Sequence, residues 1–89
     1  MTSSLVSVIL PVHNGAYYIY EAVASVLRQT YSKFELIIID DCSKDETVTI
    51  AQSFQDARIR LISSQKRLRL CKALNLGLEN ANGLFIARM

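Results

Sequence analysis

The sequence predicts a three-layer α/β domain in which helices cover both faces of a mainly parallel sheet. Short continuous apolar runs, typical of strands buried on both faces, alternate with segments whose apolar residues recur at helical spacing. This alternation runs along the whole chain in the order βαβαβαβ. Because crossovers between parallel strands are right-handed in nearly all proteins, we expect the helices on both faces of the sheet.

The first strand and helix lie in the amino-terminal third of the chain. Leu5 to Leu10 is a continuous run rich in β-branched residues, and it ends at Pro11. The next apolar residues occur at i, i+3, i+4, i+7 and i+8, so they share one face of a helix. They are Ile19, Ala22, Val23, Val26 and Leu27. We expect Tyr17, Tyr18 and Tyr20 in the core and on the helix surface.

The second unit follows the same plan. Phe34 to Ile39 predicts a buried strand, and residues 40–43 predict the turn after it. Ser43 and Glu46 have the spacing of a capping box, in which each side chain satisfies a backbone N–H group at a helix start. The buried stripe of this second helix consists of Thr47, Ile50, Ala51 and Phe54.

The third unit leads into a last strand. Arg58 to Ser63 carries alternating apolar residues and predicts the third strand. The helix after it is marked by Leu70, Ala73, Leu74, Gly77, Leu78 and Ala81. Asn82 and Gly83 tolerate a left-handed backbone and are expected to close that helix, before a fourth strand at Leu84 to Ala87. The sequence therefore predicts a Rossmann-like three-layer sandwich with a four-stranded, mainly parallel sheet, as one domain over residues 1–89.

The composition excludes several classes of protein. The 89 residues are 51% hydrophobic and 20% charged, which describes a chain with a core to bury. A net charge of +2 is too small to predict a nucleic-acid partner. Cys42 and Cys71 have no CxxC spacing, so we expect reduced thiols in a cytoplasmic protein. The amino-terminal apolar run is too short for a signal peptide or a transmembrane segment.

Three loops are expected to converge at the carboxyl ends of the strands, where parallel sheets bind ligands. They are residues 12–16, 40–44 and 64–69. Asp40 and Asp41 in the second loop could accept hydrogen bonds from a base or ribose, or help to hold a cation. Alternatively, they only favour the turn and the next helix start. Because adjacent side chains of an extended segment point to opposite faces, we expect one to face a ligand and the other the turn.

The first loop carries the only histidine of the chain. Pro11 fixes φ and Gly15 tolerates positive φ, so we expect this segment to leave the sheet abruptly. His13 has no partner pattern for metal binding or for a catalytic triad. Its planar ring suits packing beside a nucleobase or hydrogen bonding to one, and plain loop packing is the alternative.

A basic cluster lies in the third loop and at the start of the helix after it. Its members are Lys66, Arg67, Arg69 and Lys72. Together with helix-start N–H groups, these cations could stabilise a diphosphate. The alternative is an ordinary solvated face, and the sequence leaves both open.

Five segments resemble, in order and spacing, the start of family 2 glycosyltransferases. They are residues 6–14, 25–31, 34–45, 73–78 and 81–89. The resemblance implies an incomplete glycosyltransferase A-type fold whose amino-terminal half binds a nucleotide-sugar, usually a UDP-sugar. It also implies that Asp41 hydrogen-bonds the base and that residues 11–13 line the base pocket. The predicted nucleotide-binding residues are Pro11, Val12, His13, Asp41, Arg69 and Lys72.

The resemblance also has departures. His13 stands where the family usually has tyrosine, and Arg67 and Arg69 stand where it often has Asn and Gly. In the family, the strand matching residues 84–89 is followed by an Asp-x-Asp motif that binds a divalent metal, and a general base comes later. The resemblance therefore implies a fragment that binds nucleotide at most, with no catalytic residue and no metal of its own.

For the full-length parent, the resemblance implies a hexosyltransferase-like enzyme of polysaccharide biosynthesis that uses Mn²⁺ or Mg²⁺. Its acceptor would be a glycan or a lipid-linked molecule, and its place the cytoplasm or the inner face of the membrane. Two alternatives stay open for the chain itself. It could be a non-catalytic nucleotide-binding module, or a module that forms homo-oligomers through the exposed edge of the fourth strand.

Overall fold

The computed structural model describes residues 5–29, 31–83 and 85–88. In these residues strands and helices alternate, as β1 (Val6–Val12), α1 (Ile19–Leu27), β2 (Phe34–Asp41), α2 (Thr47–Gln52), β3 (Ile59–Ser64), α3 (Arg69–Asn80) and β4 (Phe85–Arg88). Leu84, predicted as the start of the last strand, lies outside the described residues, as do Thr30 and Met89 of the segments that carry the resemblance.

The sheet has the strand order β3-β2-β1-β4, and its strands pair in parallel. From β1 the chain moves outward through β2 to β3, and then returns to place β4 on the other side of β1. With right-handed crossovers, this reversal puts α3 on the face opposite α1 and α2. The point where the order reverses is the usual ligand site of such sheets, beyond the carboxyl ends of the strands.

Two apolar cores lie on the two faces of the sheet. Because successive strand residues point to opposite faces, β1 and β2 contribute to both cores. Val8 and Leu10 pack with α1 and α2, whereas Ile9 packs with α3. All eight residues of β2 are buried, which explains why its apolar run is continuous. The α/β class with a parallel sheet is therefore confirmed.

Helix α3 approaches the sheet through small residues. Its buried residues are Ala73 and Gly77. A Cβ atom on Gly77 would lie 2.6 Å from Cγ2 of Ile9, so only glycine fits this crossing. Leu70 and Leu78, which helped to mark this helix in the sequence, are each 48% exposed. The helix contacts the sheet along a narrow stripe and leaves these larger side chains at the flanks.

Gly77→Ala is expected to lower the free energy of unfolding by about 1–2 kcal/mol, although alanine is the better helix former. The added methyl group must push Ile9 or the whole helix away from β1. Asn75→Ala, at an exposed position of the same helix, is the control and should leave stability unchanged or slightly higher. Urea denaturation of both variants checks this, and equal stability of the two would contradict the close packing.

A buried polar cluster joins the strands at the amino-terminal edge of the sheet, on the α3 face. The Glu35 carboxylate accepts hydrogen bonds from the Ser7 hydroxyl (2.6 Å), the Asn82 backbone N–H (2.6 Å) and Nη1 of Arg60 (3.1 Å). Burial raises the pKa of Glu35, but these hydrogen bonds outweigh it and hold the pKa below its ordinary value. The cluster therefore ties three strands to the segment that enters β4.

The same cluster explains why the predicted left-handed end of α3 is wrong. The helix ends at Ala81 in an extended conformation, with φ −76° and ψ 135°, and no glycine among the described residues has positive φ. The Asn82 N–H is bound to Glu35, and the Gly83 N–H donates to the Ser7 hydroxyl at 2.8 Å. These bonds draw the chain directly toward β4.

Two other local predictions are also wrong. Ser43 and Glu46 do not form a capping box, because α2 begins at Thr47 and the Thr47 N–H donates to Oδ1 of Asp45 at 3.0 Å. Asp45, the residue before the N-cap position Glu46, therefore accepts the first N–H of the helix. Of the two locations expected for Tyr17, Tyr18 and Tyr20, the core is wrong and the helix surface is right, because all three are exposed and Tyr17 is 92% exposed.

No helix in the described part of the chain is long and apolar enough to cross a membrane. The cytoplasmic location expected from the sequence stays a prediction.

Candidate functional site

The first two loops at the carboxyl edge of the sheet are joined by a set of hydrogen bonds. The Asn14 N–H donates to the Ser43 hydroxyl (2.9 Å), and Oδ1 of Asn14 accepts the Lys44 N–H (2.7 Å). The Gly15 N–H donates to the Thr47 hydroxyl at 2.9 Å. The ends of β1 and β2 therefore form one unit, as the predicted convergence of the loops requires.

Asp45 supports this junction. Its carboxylate accepts hydrogen bonds from the Thr47 hydroxyl and N–H and from the Ala16 N–H. The Thr47 hydroxyl bond is the main reason why the pKa of Asp45 lies below its ordinary value. The carboxylate is thus held ionised at the point where both loops meet.

Each of the three loops contains one residue with a left-handed backbone. These residues are Asn14 (φ 51°), Cys42 (φ 59°) and Arg69 (φ 68°). The predicted positive φ at Gly15 is wrong, since the left-handed turn falls on the preceding asparagine. Glycine is needed at 15 for space instead, because a Cβ atom there would lie 2.5 Å from Cγ2 of Val12. Strained backbone of this kind is concentrated at functional sites.

Arg69→Gly is expected to raise the free energy of unfolding by about 1 kcal/mol, because glycine adopts positive φ without steric cost. The backbone N–H of residue 69, which is bound to Asp41, is kept. Lys72→Gly removes the same charge from the interior of the same helix and should lower stability by about 1 kcal/mol. Chemical denaturation gives both values, and loss of stability in both variants would contradict the strain at Arg69.

Asp41 is the centre of the third junction. Its side chain is 5% exposed, and its carboxylate accepts hydrogen bonds from the Arg67 guanidinium and from the Leu68 and Arg69 backbone N–H groups. These donors all come from the loop between β3 and α3, so the carboxylate organises the start of α3. A buried carboxylate is stable only with such partners.

The two adjacent aspartates face opposite sides of the sheet. Oδ1 of Asp40 accepts the Ser43 N–H at 3.3 Å and belongs to the turn. Asp41 continues the row of Ile37 and Ile39 on the α3 face. Asp40 therefore belongs to the turn and lines a separate hollow between the second and third loops, whereas Asp41 lines the hollow that it shares with His13.

The His13 ring is fixed through both of its nitrogen atoms. Its Nδ1 lies 2.7 Å from the carbonyl oxygen of Asp41, and its Nε2 lies 3.2 Å from Nδ2 of Asn14. The carbonyl only accepts and the amide nitrogen only donates, which assigns the proton to Nδ1 and the lone pair to Nε2. The ring therefore offers a ligand its planar face.

These residues enclose a hollow of about 120 Å³ at the carboxyl edge of the sheet, on the α3 side. Its lining consists of Pro11, Val12, His13, Asp41, Arg67, Leu70 and Ala73. Pockets that enclose a drug-sized ligand measure about 300–1,000 Å³. The hollow is therefore of a size for one flat ring, and the rest of a nucleotide would extend beyond it.

The hollow brings together four of the six predicted nucleotide-binding residues, Pro11, Val12, His13 and Asp41. Arg69 lies beside it and contributes its backbone N–H to Asp41. Lys72 lies on another flank of α3, beside Asn75 and Glu79, and does not line the hollow. The site assignment of all six stays a prediction.

Sequence reasoning did not assign three residues of the lining to the site, namely Arg67, Leu70 and Ala73. Arg67 belongs to the basic cluster, but its charge alone does not distinguish it from its neighbours. Leu70 served only to mark the third helix, and in the structure it lies in the first turn of α3 and lines the hollow. Arg67 and Leu70 are three residues apart, one before the start of α3 and one in its first turn. This spacing could have indicated that their side chains lie on the same side once α3 begins at Arg69.

The described residues do not fit the divalent metal that the family resemblance implies for the full-length parent. No three His, Cys, Asp or Glu side chains in this part of the chain lie close enough together to hold a metal ion. The Asp41 carboxylate is surrounded by N–H donors, an environment that would repel a cation.

Comparison with known proteins agrees with the fold. The family described as glycosyl transferase family 2 matches residues 7–89. An *Escherichia coli* UDP-Glc:alpha-D-GlcNAc-diphosphoundecaprenol beta-1,3-glucosyltransferase is 39% identical over 87 residues, which cover 98% of this chain and 34% of that protein. The chain spans 26–34% of the length of the first curated relatives that it matches.

Solved structures share the fold over nearly the whole chain. *Staphylococcus aureus* TarS 1–349 in complex with UDP superposes with a TM-score of 0.87 at 30% identity, covering 94% of this chain and 26% of that one. A *Pyrobaculum calidifontis* mannosyltransferase in complex with GDP-Man and Mn²⁺ has a TM-score of 0.86 at 28% identity, covering 96% and 26%. From the family match over residues 7–89 and these relatives, we conclude that the chain belongs to glycosyl transferase family 2.

Proposed function

We propose that this chain binds the nucleoside diphosphate part of a nucleotide-sugar, with a UDP-sugar as the preferred donor. We further propose that the longer protein containing it transfers the sugar to a glycan or a lipid-linked acceptor. The observation that carries the proposal is the nearly buried Asp41 carboxylate, which shares one hollow with the His13 ring at the carboxyl edge of the sheet.

The dimensions and chemistry of the hollow favour a nucleobase. The flat His13 ring lines the hollow, and Leu70 and Ala73 add apolar surface from α3. Leu70 is 48% exposed, and a stacked base would cover it. Asp41 would accept a ring N–H of the base, since a carboxylate offers about four lone-pair positions and three of them are used by the donors described above.

Two of the relatives favour uridine as the nucleoside, whereas the mannosyltransferase structure contains GDP-Man. The *E. coli* relative is named for a UDP-glucose donor and a diphosphoundecaprenol-linked acceptor, and the TarS structure contains UDP. A ribose and diphosphate attached to a base in this hollow would extend along the edge of the sheet, near the basic residues that begin α3. Arg69 and Lys72 stay candidates for that contact.

Calorimetric titration of the 89-residue chain with UDP tests the proposal. Pyrophosphate and uridine are the matched controls, because each contains only one half of the ligand. We expect UDP to bind more tightly than either control. Pyrophosphate binding as tightly as UDP would contradict the proposal, since it would show a basic surface that takes any diphosphate.

Two further expectations stay predictions. The chain alone is expected to transfer no sugar, which a transfer assay with UDP-sugars and Mn²⁺ or Mg²⁺ tests. Homo-oligomer formation through a sheet edge is tested by sedimentation velocity over a range of concentrations. A dimer that does not bind UDP would favour the self-associating module over the proposed function.

A further inference from the structure

Arg67 has two roles in the geometry of the hollow. Its Nη1 donates to Oδ2 of Asp41, yet 37% of its side chain is exposed and it lines the hollow. A guanidinium carries five N–H groups, and this bond uses one of them. The lining of the hollow therefore presents a hydrogen-bond acceptor, the Asp41 carboxylate, beside hydrogen-bond donors, the remaining N–H groups of Arg67.

We propose that Arg67 is a specificity-determining residue that forms, with Asp41, an acceptor–donor pair selecting uracil over cytosine. This inference rests on the proposed function, in which Asp41 accepts the ring N–H of the base. Arg67 then donates to the carbonyl group next to that N–H. The pair is held in register because Asp41 is also bound by the backbone N–H groups of Leu68 and Arg69.

The chemistry of the two pyrimidines makes the pair selective. Uracil presents an N–H donor at N3 between two carbonyl acceptors, which complements a carboxylate flanked by a guanidinium. Cytosine has a lone pair at N3 and an amino group in place of the carbonyl at position 4. In the same orientation two acceptors would therefore face each other at Asp41, and two donors would face each other at Arg67. A buried acceptor left without a donor is costly, and sites built on such pairs reject the mismatched ligand strongly.

Two other roles for Arg67 give different results. As a phosphate ligand, it would contribute equally to the binding of UDP and CDP, which share the same ribose and diphosphate. As a plug that covers Asp41 in the unliganded chain, it would compete with both nucleotides. Substitution would then tighten the binding of both.

The test is the ratio of the dissociation constants for CDP and UDP, measured by calorimetric titration of the 89-residue chain. For Arg67→Met, which keeps the length of the side chain but removes its donors, we expect this ratio to fall about tenfold, mainly through weaker UDP binding. Arg28→Met is the matched control, with the same charge change at an exposed position after α1. It should leave the ratio unchanged.

Arg67→Lys keeps the charge but loses the planar fork, so the ratio should fall here as well. If the lysine variant keeps the full preference for UDP over CDP, the inference is overturned. It is also overturned if Arg67→Met weakens the binding of UDP and CDP equally, or tightens the binding of both. If Arg67→Met does not fold, as judged by thermal unfolding, the lysine variant decides. Binding of UDP and CDP with equal affinity by the unchanged chain would overturn this inference alone, whereas no binding of either would overturn the proposed function with it.

Discussion

Asp41→Asn is expected to weaken UDP binding by at least about tenfold and to lower the free energy of unfolding by about 3 kcal/mol. The amide nitrogen of asparagine would face N–H groups from Arg67, Leu68 or Arg69, where the carboxylate now accepts. The start of α3 would lose its anchor, and the base would lose its acceptor. Calorimetric titration and urea denaturation give the two values.

Arg58→Ala is the control that separates lost stability from lost binding. Arg58 pairs with Asp56 at 2.8 Å and lies 4.3 Å over the ring of Phe34, at the opposite edge of the sheet. Its removal should lower stability only slightly, because an exposed ion pair is screened by solvent, and should leave UDP affinity unchanged. If Arg58→Ala and Asp41→Asn weaken UDP binding equally, the loss comes from unfolding and not from the hollow.

Glu35→Ala is expected to lower the free energy of unfolding by about 3 kcal/mol or more, the second large effect. The substitution leaves the Ser7 hydroxyl, the Asn82 N–H and the Arg60 guanidinium without the acceptor that they share. Glu79→Ala, at an exposed position near the end of α3, should change stability by no more than about 0.5 kcal/mol. Urea denaturation compares the two variants, and equal effects would contradict the role of the cluster.

The pH dependence of this effect follows from the lowered pKa of Glu35. Because the pKa is lower in the folded state, the ionised carboxylate stabilises the fold fully above its unfolded pKa, and this stability is lost as the pH falls through the folded pKa. The stability difference between the unchanged chain and Glu35→Gln should therefore be constant from pH 6 to 8 and shrink below about pH 4. Asp56, whose pKa is about 2, contributes equally to both proteins and cancels.

The main architecture could be predicted from the sequence because a strand that is buried on both faces of the sheet consists of a continuous run of apolar residues. β2 is buried along its whole length, so its apolar run is unbroken and ends where Asp40 and Asp41 begin. Parallel strands bring their carboxyl ends to one edge, which is why the meeting of His13 and Asp41 could be predicted. The 2.7 Å contact between the His13 ring and the Asp41 carbonyl bears out this proximity.

The ends of the helices could not be predicted, because side chains from elsewhere in the fold decide them. Asp45, and not Ser43, accepts the first N–H of α2, and its carboxylate also binds the first loop. Glu35 draws Asn82 into an extended path at the end of α3. In both places a carboxylate that is distant in sequence, or bound to another loop, outweighs the local turn preference.

The positions of the basic residues around the site also could not be predicted from the sequence. The left-handed backbone of Arg69 sets how α3 begins and therefore which side chain faces the hollow. Arg67 reaches Asp41, whereas Lys72 lies on another flank of the helix. Charge and spacing alone make the cluster members equivalent, and only the path of the loop distinguishes them.

The central claim is that the hollow between His13 and Asp41 receives a nucleobase. It is tested most directly by following the backbone amide signals of the ¹⁵N-labelled chain by NMR while UDP is added. We predict that the largest shifts occur together at residues 12–14, 41–43 and 67–73. The claim is contradicted if these signals stay in place while shifts concentrate elsewhere, for example around Lys44, Val48 and Ser63 in the separate hollow between the second and third loops.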